Sequence, residues 1–387
     1  MFARRTGWNL EKNAFTLALE RHQRGGRELL DLTASNPTKV GLAANSEILR
    51  CLAKPESLDY DPQPRGLPSS REAVVEYYRG LGAELSADQV ILTTSTSEAY
   101  SFIFRLLCDP GDEVLIPTPS YPLFDFLAEI QDVRLLPYEL IYDHGWQIDF
   151  HSLSGAITPR TRAIILVSPN NPTGSYVKAR EREELNRLCL GHELALIVDE
   201  VFFDFNLSSE NFETFARDDQ ALTFTLSGLS KVAGLPQMKV AWLAATGPAE
   251  LVSTAMERLE VIADTYLSMN APIQHAIPEL LAQRTLFQLE LMDRLRANLA
   301  DLDLQLAGQK LCSRLEVEGG WYATLRVPVT QTDEELAIKL LEQRDVLVHP
   351  GHFFNFQSDG YLILSLMTPE EVFSEGVRRI LMHLTNA

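Results

Sequence analysis

The chain has 387 residues, of which 45% are hydrophobic, and its formal net charge at pH 7 is −19. This length can bury a sizeable core and favours two domains, or one large and one small, while the strongly acidic balance argues against nucleic acid or an anionic membrane as a partner. The polar N-terminus does not resemble a signal peptide, and no run approaches the roughly 18 apolar residues of a membrane span. The four cysteines are widely spaced, which is typical of reduced thiols in a cytoplasmic protein.

The middle of the chain alternates between short β-rich runs and longer helical runs. Its predicted elements, in chain order, are strand 90–95, helix 98–107, strand 113–117, helix 121–131, strand 162–168, helix 178–192 and strands 193–200, 223–227 and 239–245. The runs 162–168 and 193–200 are apolar without alternation, as in strands that are buried on both faces. Strands that alternate with helices predict βαβ units and an α/β fold with a mostly parallel sheet between helices.

The pattern changes after residue 248. Long helical segments cover residues 248–308, followed by strand-like 315–328, helical 332–344, strand-like 346–350 and 361–367, and a last helix from Pro369. This mixture predicts a second, smaller α+β domain. The chain is therefore divided into a large domain of residues 46–270 and a small domain of residues 1–45 and 271–387.

Several polar side chains come directly after the predicted strands. Ligands of an open parallel sheet bind outside the carboxyl ends of the strands, and the residues found there are Ser95 to Ser97, Tyr121, Asn170, Asn171, Asp199 and Lys231. Asp199 ends a buried strand, where a carboxylate is costly unless a cation or hydrogen bonds compensate it. Lys231 lies in a loop of small residues, and a lysine is a nucleophile only when burial or a nearby cation lowers its pKa.

Each of these residues also has an ordinary structural interpretation. Asp199 could cap a helix or form a structural ion pair, Asn171 could hold a turn, and Tyr121 could belong to the core. The hydroxyls at 95–97 could cap a helix as well as bind a phosphate at its N-terminus. Lys231, taken alone, could be a solvated surface charge.

The order of these features along the chain is more specific than any one of them. A hydroxyl-rich loop between strand and helix, an aromatic residue, the segment SPNNPTG (168–174), a strand-end aspartate and the segment SGLSK (227–231) together resemble the class I/II aminotransferases of pyridoxal-phosphate fold type I, over residues 30–387. The resemblance implies a pyridoxal 5'-phosphate cofactor, ping-pong transfer of an amino group from an amino acid to a 2-oxo acid, and a homodimer with shared active sites. Two alternatives stay open: a lyase, decarboxylase or racemase that uses the same cofactor, and a non-catalytic binding or regulatory protein.

The resemblance also implies roles for individual residues. Lys231 would carry the cofactor as a Schiff base and move the substrate proton, while Asp199 would keep the ring nitrogen protonated so that the ring accepts electrons. Asn171 would hydrogen-bond the phenolic oxygen, and Tyr121 would stack on the ring. The other implied contacts are Thr96, Ser97, Ser227, Ser230 and Lys239 to the phosphate, Tyr60 to a phosphate across the dimer interface, and Ser35, Tyr322 and Asn171 to the substrate.

Three positions depart from the family's pattern. Lys239 stands where the family usually has an arginine, so the charge is kept without the bidentate fork. Phe202 replaces a tyrosine that contacts the phenolic oxygen, and the pKa of the lysine–cofactor linkage is expected to rise without that donor. Ile363 replaces the arginine that clamps the substrate's α-carboxylate. Either another group holds this carboxylate or the substrate lacks it.

The substrate pocket is predicted to be apolar or aromatic, from Trp321, Tyr322, Phe353 and Phe354. Thr265 lies near the position of a specificity arginine, which disfavours aspartate as the substrate. Candidates for the missing carboxylate contact are the basic residues Arg4, Arg5, Lys39 and Arg65, each of which also suits an exposed surface.

The segment HPGH (349–352) carries two histidines in a turn. Two histidines without a nearby cysteine or acidic ligand do not make a metal site, and none is predicted. His352 is instead considered as a neighbour of the active site.

Overall fold

The computed structural model describes residues 1–42 and 46–385. Its strands are β1 Leu30–Asp31, β2 Val90–Thr93, β3 Glu113–Thr118, β4 Arg134–Tyr142, β5 Trp146–Ile148, β6 Thr161–Val167, β7 Ala195–Asp199, β8 Thr223–Gly228, β9 Ala241–Thr246, β10 Ser313–Arg314, β11 Tyr322–Arg326, β12 Val346–Leu347, β13 His349–Pro350 and β14 Tyr361–Ser365. Its α-helices are α1 Ala14–Arg24, α2 Pro68–Gly80, α3 Thr96–Leu107, α4 Leu123–Glu129, α5 Phe150–Ala156, α6 Ala179–His192, α7 Leu229–Val232, α8 Ala249–Tyr266, α9 Ala271–Ala282, α10 Arg284–Ala307, α11 Asp333–Arg344 and α12 Glu370–Thr385.

The large sheet has the strand order β2-β9-β8-β7-β6-β3-β4-β5. Strands β8, β7, β6, β3 and β4 are parallel to their neighbours in that series. Strand β9 is antiparallel to both β8 and β2, and β5 is antiparallel to β4. Strand β2 therefore runs with the parallel set, and the carboxyl ends of β2, β3, β6, β7 and β8 meet at one edge. The predicted α/β fold with a mostly parallel sheet is confirmed.

Alternate residues of the central strands pack on opposite faces of this sheet. In β7, Ile197 shares a core with residues of α3 and α8, whereas Leu196 and Val198 share a core with residues of α6. All three side chains are fully buried. Burial on both faces explains why the run 193–200 shows no polar alternation.

Local signals decide where the elements begin. The Ser95 side chain accepts a hydrogen bond from Glu98 N and caps α3, so this helix begins at Thr96. Glu193 has a left-handed conformation (φ 54°) at the end of α6, and Lys239 has one (φ 53°) before β9. The strands after these two residues therefore begin later than the sequence pattern predicts.

The C-terminal part of the chain forms a second, antiparallel sheet with the order β10-β11-β14-β13. Strand β1 pairs in parallel with β12. Residues of α1, α10, α11 and α12 share one core with these strands. This is the α+β arrangement that the sequence predicts for the second part of the chain.

Helix α9 lies at the predicted division between the domains. It packs against α2 and shares a core with β2 and β9, so this segment of the predicted small domain lies beside the large sheet. The domain boundaries stay a prediction.

No helix within residues 1–42 and 46–385 combines the length and the apolar character needed to span a bilayer. In the same ranges, no three side chains of histidine, cysteine, aspartate or glutamate converge in a way that could hold a metal ion.

Candidate active site

A cavity of about 370 Å³ lies where the carboxyl ends of the parallel strands face the second sheet. Its volume is in the range of small-ligand sites. The wall brings together most of the residues that the sequence predicts as a site: Ser35, Thr96, Ser97, Tyr121, Asn171, Asp199, Ser230, Lys231 and Tyr322. These residues come from distant parts of the chain, and the shared direction of β2, β3, β6, β7 and β8 brings most of them to one edge.

Asp199 and Lys231 place a carboxyl group and an amine in the wall. Burial raises the pKa of Asp199 to about 6, opposed by hydrogen bonds from Val201 N (3.1 Å) and the Tyr100 hydroxyl (3.3 Å) and by the charge of Lys231. Burial lowers the pKa of Lys231 to about 8, opposed by the charge of Asp199. With that pKa, about a tenth of the amine is unprotonated at pH 7. Lys231 can therefore act as a nucleophile and as a proton carrier.

The segment SPNNPTG forms a buried loop that presents Asn171 to the cavity. Asn170 braces the loop, because its Oδ1 accepts hydrogen bonds from Thr173 N (3.3 Å) and Thr173 Oγ1 (3.0 Å). The side chain of Asn171 is nearly buried, and its Oδ1 has no hydrogen-bond partner among the described residues. A buried amide without a partner is costly, so the Asn171 amide is suited to meet a polar group of a ligand.

Gly174 closes this loop, and we expect its replacement by alanine to destabilise the protein. Its φ is +74°, and an added Cβ would lie 2.6 Å from Gly319 O and 2.9 Å from Val317 Cγ1. The left-handed backbone and the clash together should lower the free energy of unfolding by about 2–4 kcal/mol. Urea denaturation measures this as a lower midpoint at unchanged slope.

Gly111→Ala is the matched control for Gly174→Ala. Gly111 has φ +87°, but an added Cβ would find nothing within 4 Å. This variant should lose only the backbone contribution, about 1 kcal/mol. Equal losses in the two variants would show that the contact between Gly174 and the Val317–Gly319 segment does not constrain the loop.

The N-terminus of α3 forms another part of the wall. Ser95 caps the helix, and Glu98 Oε2 accepts a hydrogen bond from Thr94 N (2.6 Å), which fixes the first turn. Thr96 and Ser97 then line the cavity. Free N–H groups, hydroxyls and the positive end of the helix dipole at one place favour a bound phosphate.

Aromatic side chains form the apolar side of the cavity. Phe202 lies in the wall and packs edge-on against Trp321 behind it, with 5.1 Å between ring centroids. Lys231 Nζ lies 4.8 Å from the Trp321 ring centre and 5.5 Å from that of Phe202. Phe353, Phe354 and the partly exposed Tyr121 complete this side. Of the residues predicted for an apolar pocket, Tyr322, Phe353 and Phe354 line the cavity, and Trp321 lies behind Phe202.

Three of the predicted cofactor contacts do not line the cavity. Ser227 is fully buried in β8 and its Oγ has no partner among the described residues, while the next residue, Gly228, does reach the wall. Lys239 is exposed in its left-handed turn. Tyr60 is 82% exposed, beside a separate surface cavity lined also by Met269 and Asn270.

The sequence did not single out several residues of the wall, among them Leu123, Phe124, Val201, Gly228 and His349. His349 lines the cavity, whereas His352 is exposed and lies outside it. The only signal in HPGH that separates the two is that His349 continues a strand-like run and His352 follows the turn. Which face of that strand meets the cavity depends on sheet pairing, which the run does not encode.

The chain is similar to known aminotransferases over most of its length. The family described as "Aminotransferase class I and II" matches residues 28–380. The alanine aminotransferase of Mycobacterium bovis is 28% identical, over 92% of this chain and 85% of the relative. The glutamate-pyruvate aminotransferase of Haemophilus influenzae is 26% identical, over 93% of this chain and 92% of the relative.

Two solved structures show the same fold. The alanine aminotransferase from Pyrococcus furiosus superposes with a TM-score of 0.91 at 24% identity and covers 100% of both chains. The aspartate aminotransferase from Thermotoga maritima superposes with a TM-score of 0.83 at 22% identity, covering 99% of this chain and 100% of its own.

Proposed function

The chain belongs to the class I and II aminotransferases, and on that premise we propose that its amino donor is an α-amino acid with an apolar side chain. As a member of this family it is a pyridoxal-phosphate-dependent enzyme that moves an amino group from an amino acid to a 2-oxo acid. The observation that carries the proposal is the cavity in which Lys231, Asp199 and Asn171 meet an aromatic wall.

The residues of this cavity fit the cofactor. Asn171 lines the cavity, and its Nδ2 can donate a hydrogen bond to the phenolic oxygen, while the buried carboxyl of Asp199 suits the ring nitrogen. The N-terminal turn of α3 with Thr96 and Ser97, together with Ser230, suits its phosphate. Lys231 supplies an amine whose pKa burial has lowered, as an attachment point for the aldehyde requires.

The positions of these residues in the cavity suggest a chemical role for each of them. When bound, pyridoxal phosphate withdraws electrons from the substrate's Cα and so makes its proton labile. The Lys231 amine would take that proton from Cα and deliver it to C4′ of the cofactor. The ionised Asp199 carboxylate holds a proton on the ring nitrogen, and Asn171 fixes the ring's orientation. Phe202 and Trp321, whose ring centres lie 5.5 Å and 4.8 Å from Lys231 Nζ, keep water away from the lysine.

The choice of an apolar donor rests on the composition of the wall. Lys231 is the only lysine or arginine in it, among the described residues, so a second carboxylate on the substrate would find no free cation. Leu123, Phe124, Phe353 and Phe354 offer apolar surface instead. The curated relatives are named as alanine and glutamate-pyruvate aminotransferases, which makes alanine the first donor to test.

Product formation from a panel of amino donors tests this substrate class. With 2-oxo acid acceptors supplied, we expect alanine or a larger apolar amino acid to give a kcat/KM at least about tenfold above that of aspartate, since an unpaired carboxylate is costly in such a pocket. Aspartate as the best donor would contradict the proposal.

A second candidate function is a lyase, decarboxylase or racemase that uses the same cofactor. Ile363 supports this candidate, because the position holds no cation for the α-carboxylate. The fate of the substrate's amino group separates the two functions, since only transamination leaves it on the enzyme.

The homodimer also belongs to the proposal. Tyr60 and Leu58 are 82% and 90% exposed on one segment, as expected of residues that contact a second subunit. Light scattering should then give twice the chain mass of 43.4 kDa, whereas a monomeric mass would contradict shared active sites.

A cytoplasmic location, supported by the buried thiols of Cys51, Cys189 and Cys312, is tested by cell fractionation.

A further inference from the structure

One face of the second sheet forms a wall of the cavity. In the pairing register, Ile363 of β14 lies opposite Thr324 of β11 and opposite His349 of β13. Residues directly opposite each other in an antiparallel sheet project from the same face. Tyr322, two residues before Thr324, projects from that face too, and both Tyr322 and His349 line the cavity. The position that lacks the arginine is therefore the immediate neighbour of a histidine in the cavity wall.

The His349 side chain has an unused polar atom. Its Nδ1 is buried and has no hydrogen-bond partner among the described residues. The ring packs edge-on near Phe354, with 5.7 Å between centroids, and near Phe353 at 6.2 Å. These neighbours hold the ring but give Nδ1 nothing to bond. This leaves a buried ring nitrogen, which is a donor whenever it carries a proton, in a cavity that already contains the reacting groups.

Among the described residues, the basic candidates named from the sequence do not fill the place of the missing arginine. Arg5 pairs with Asp132, and Arg65 pairs with Glu260 (2.6 Å). Arg4 and Lys39 are exposed, and none of these four residues lines the cavity. Lys231 is in the wall, but its amine is needed to remove the proton from Cα and is therefore not available to bind the carboxylate.

We propose that His349 is the specificity-determining residue that binds the substrate's carboxylate, through a hydrogen bond from Nδ1, in place of an arginine at position 363. This inference rests on the proposed function, because it supposes an amino acid substrate. A single imidazole offers one directed hydrogen bond rather than a bidentate fork, so the carboxylate is held more weakly than a guanidinium would hold it. Substrate affinity then depends more on the apolar wall.

The charge of His349 should couple to binding. Burial lowers the pKa of His349, while the charge of Asp31 opposes this shift, so the free site holds a neutral ring near pH 7. A bound carboxylate favours the protonated ring, and binding should tighten as pH falls. Asp199 and Lys231 also lie in this wall, but both are present in the His349 variants, so they contribute to the pH dependence of binding in every protein compared. The difference between wild type and variant therefore isolates His349.

The test measures binding of unreactive acids to the holoenzyme by calorimetry. The probes are propionate and 3-phenylpropionate, each compared with its neutral amide. The variants are His349→Phe, which removes the donor, and His349→Asn, which places an amide nitrogen near the position of Nδ1. His352→Phe is the matched control, because this histidine lies in the same turn but outside the cavity. Cofactor absorbance in each protein checks that the site is intact.

We expect wild type and His352→Phe to bind the acid about ten- to a hundredfold tighter than the amide. His349→Phe should lose most of that preference and its dependence on pH, and His349→Asn should keep part of the preference. A His349→Phe preference within about twofold of wild type, or binding of neither acid by wild type, would overturn the inference. Because the probes do not react, a failure here is distinct from a failure of the proposed amino-group transfer.

Discussion

Replacement of Lys231 by alanine is expected to lower kcat by about 10⁴-fold or more, because one side chain supplies both the covalent attachment and the proton transfer. Its position explains why no neighbour can substitute: it is the only lysine in the cavity wall among the described residues. Steady-state assays with the best donor measure the loss. The fold should be retained, since the alanine removes a desolvated charge from the wall of a cavity.

Reductive trapping with borohydride, followed by peptide mass spectrometry, shows which lysine carries the cofactor. Wild type should be labelled on the peptide that contains Lys231, and the Lys231→Ala protein should carry no label. Lys239→Ala is the control, because this lysine is eight residues downstream and exposed, so the label should persist. A label that remains in Lys231→Ala, or that disappears in Lys239→Ala, would contradict the assignment.

The attachment rate should also depend on pH. Only the unprotonated amine attacks, and burial lowers the pKa of Lys231 to about 8. The rate of cofactor uptake by the apoenzyme should therefore rise as pH increases and level off above about pH 8. A plateau only above about pH 10, the range of an ordinary lysine, would show that the side chain is not desolvated.

Asp199→Asn is expected to lower kcat by about 10²- to 10³-fold, because it removes the charge that keeps the ring nitrogen protonated. It should also weaken cofactor binding.

Burial raises the pKa of Asp199 to about 6, so the carboxylate is present above that pH and is lost as pH falls through it. In wild type, cofactor affinity should fall below about pH 6. Fluorescence titration of the apoenzyme between pH 5 and pH 8 measures both effects.

Protonation of the cofactor itself also changes cofactor affinity with pH. The Asp199→Asn variant measures that contribution, because it binds the same cofactor without a carboxyl group at position 199. The affinity difference between wild type and this variant should shrink as the pH falls below 6. Glu200→Gln is the matched control, since Glu200 is the adjacent buried carboxyl, accepts hydrogen bonds from Thr214 Oγ1 (2.6 Å) and Phe215 N (2.7 Å), and does not line the cavity. An equal loss of affinity in Glu200→Gln would point to a general effect of burial rather than to contact with the cofactor.

The sheet and the core of the site could be predicted because they depend on local patterns. Unbroken apolar runs predicted β6 and β7. Asn171 in the loop after the first run and Asp199 at the end of the second became candidates by position, and the family resemblance supplied their roles. The common direction of the strands then brought these residues together. Element ends were less predictable, because they depend on single residues such as Glu193 and Lys239 in left-handed conformations.

Strand pairing within the second sheet could not be read from the sequence. His349 and Ile363 are 14 residues apart in the chain, and only the pairing of β13 with β14 makes them neighbours. The sequence showed that an arginine is missing at 363, but the register was needed to show what lies beside it. Likewise, SGLSK offered two serines for the phosphate, and only the structure shows that Ser230 reaches the cavity wall while Ser227 does not.

The most direct test of the central claim follows the amino nitrogen. Purified holoenzyme is incubated with an amino acid that carries an isotope label on its amino nitrogen, with no acceptor present. It is then desalted and given an unlabelled 2-oxo acid. The account predicts that one labelled nitrogen stays with each chain after the first step and appears in the new amino acid after the second. Release of the label as free ammonia, or its complete retention in the original amino acid skeleton, would contradict amino-group transfer and favour a lyase, decarboxylase or racemase.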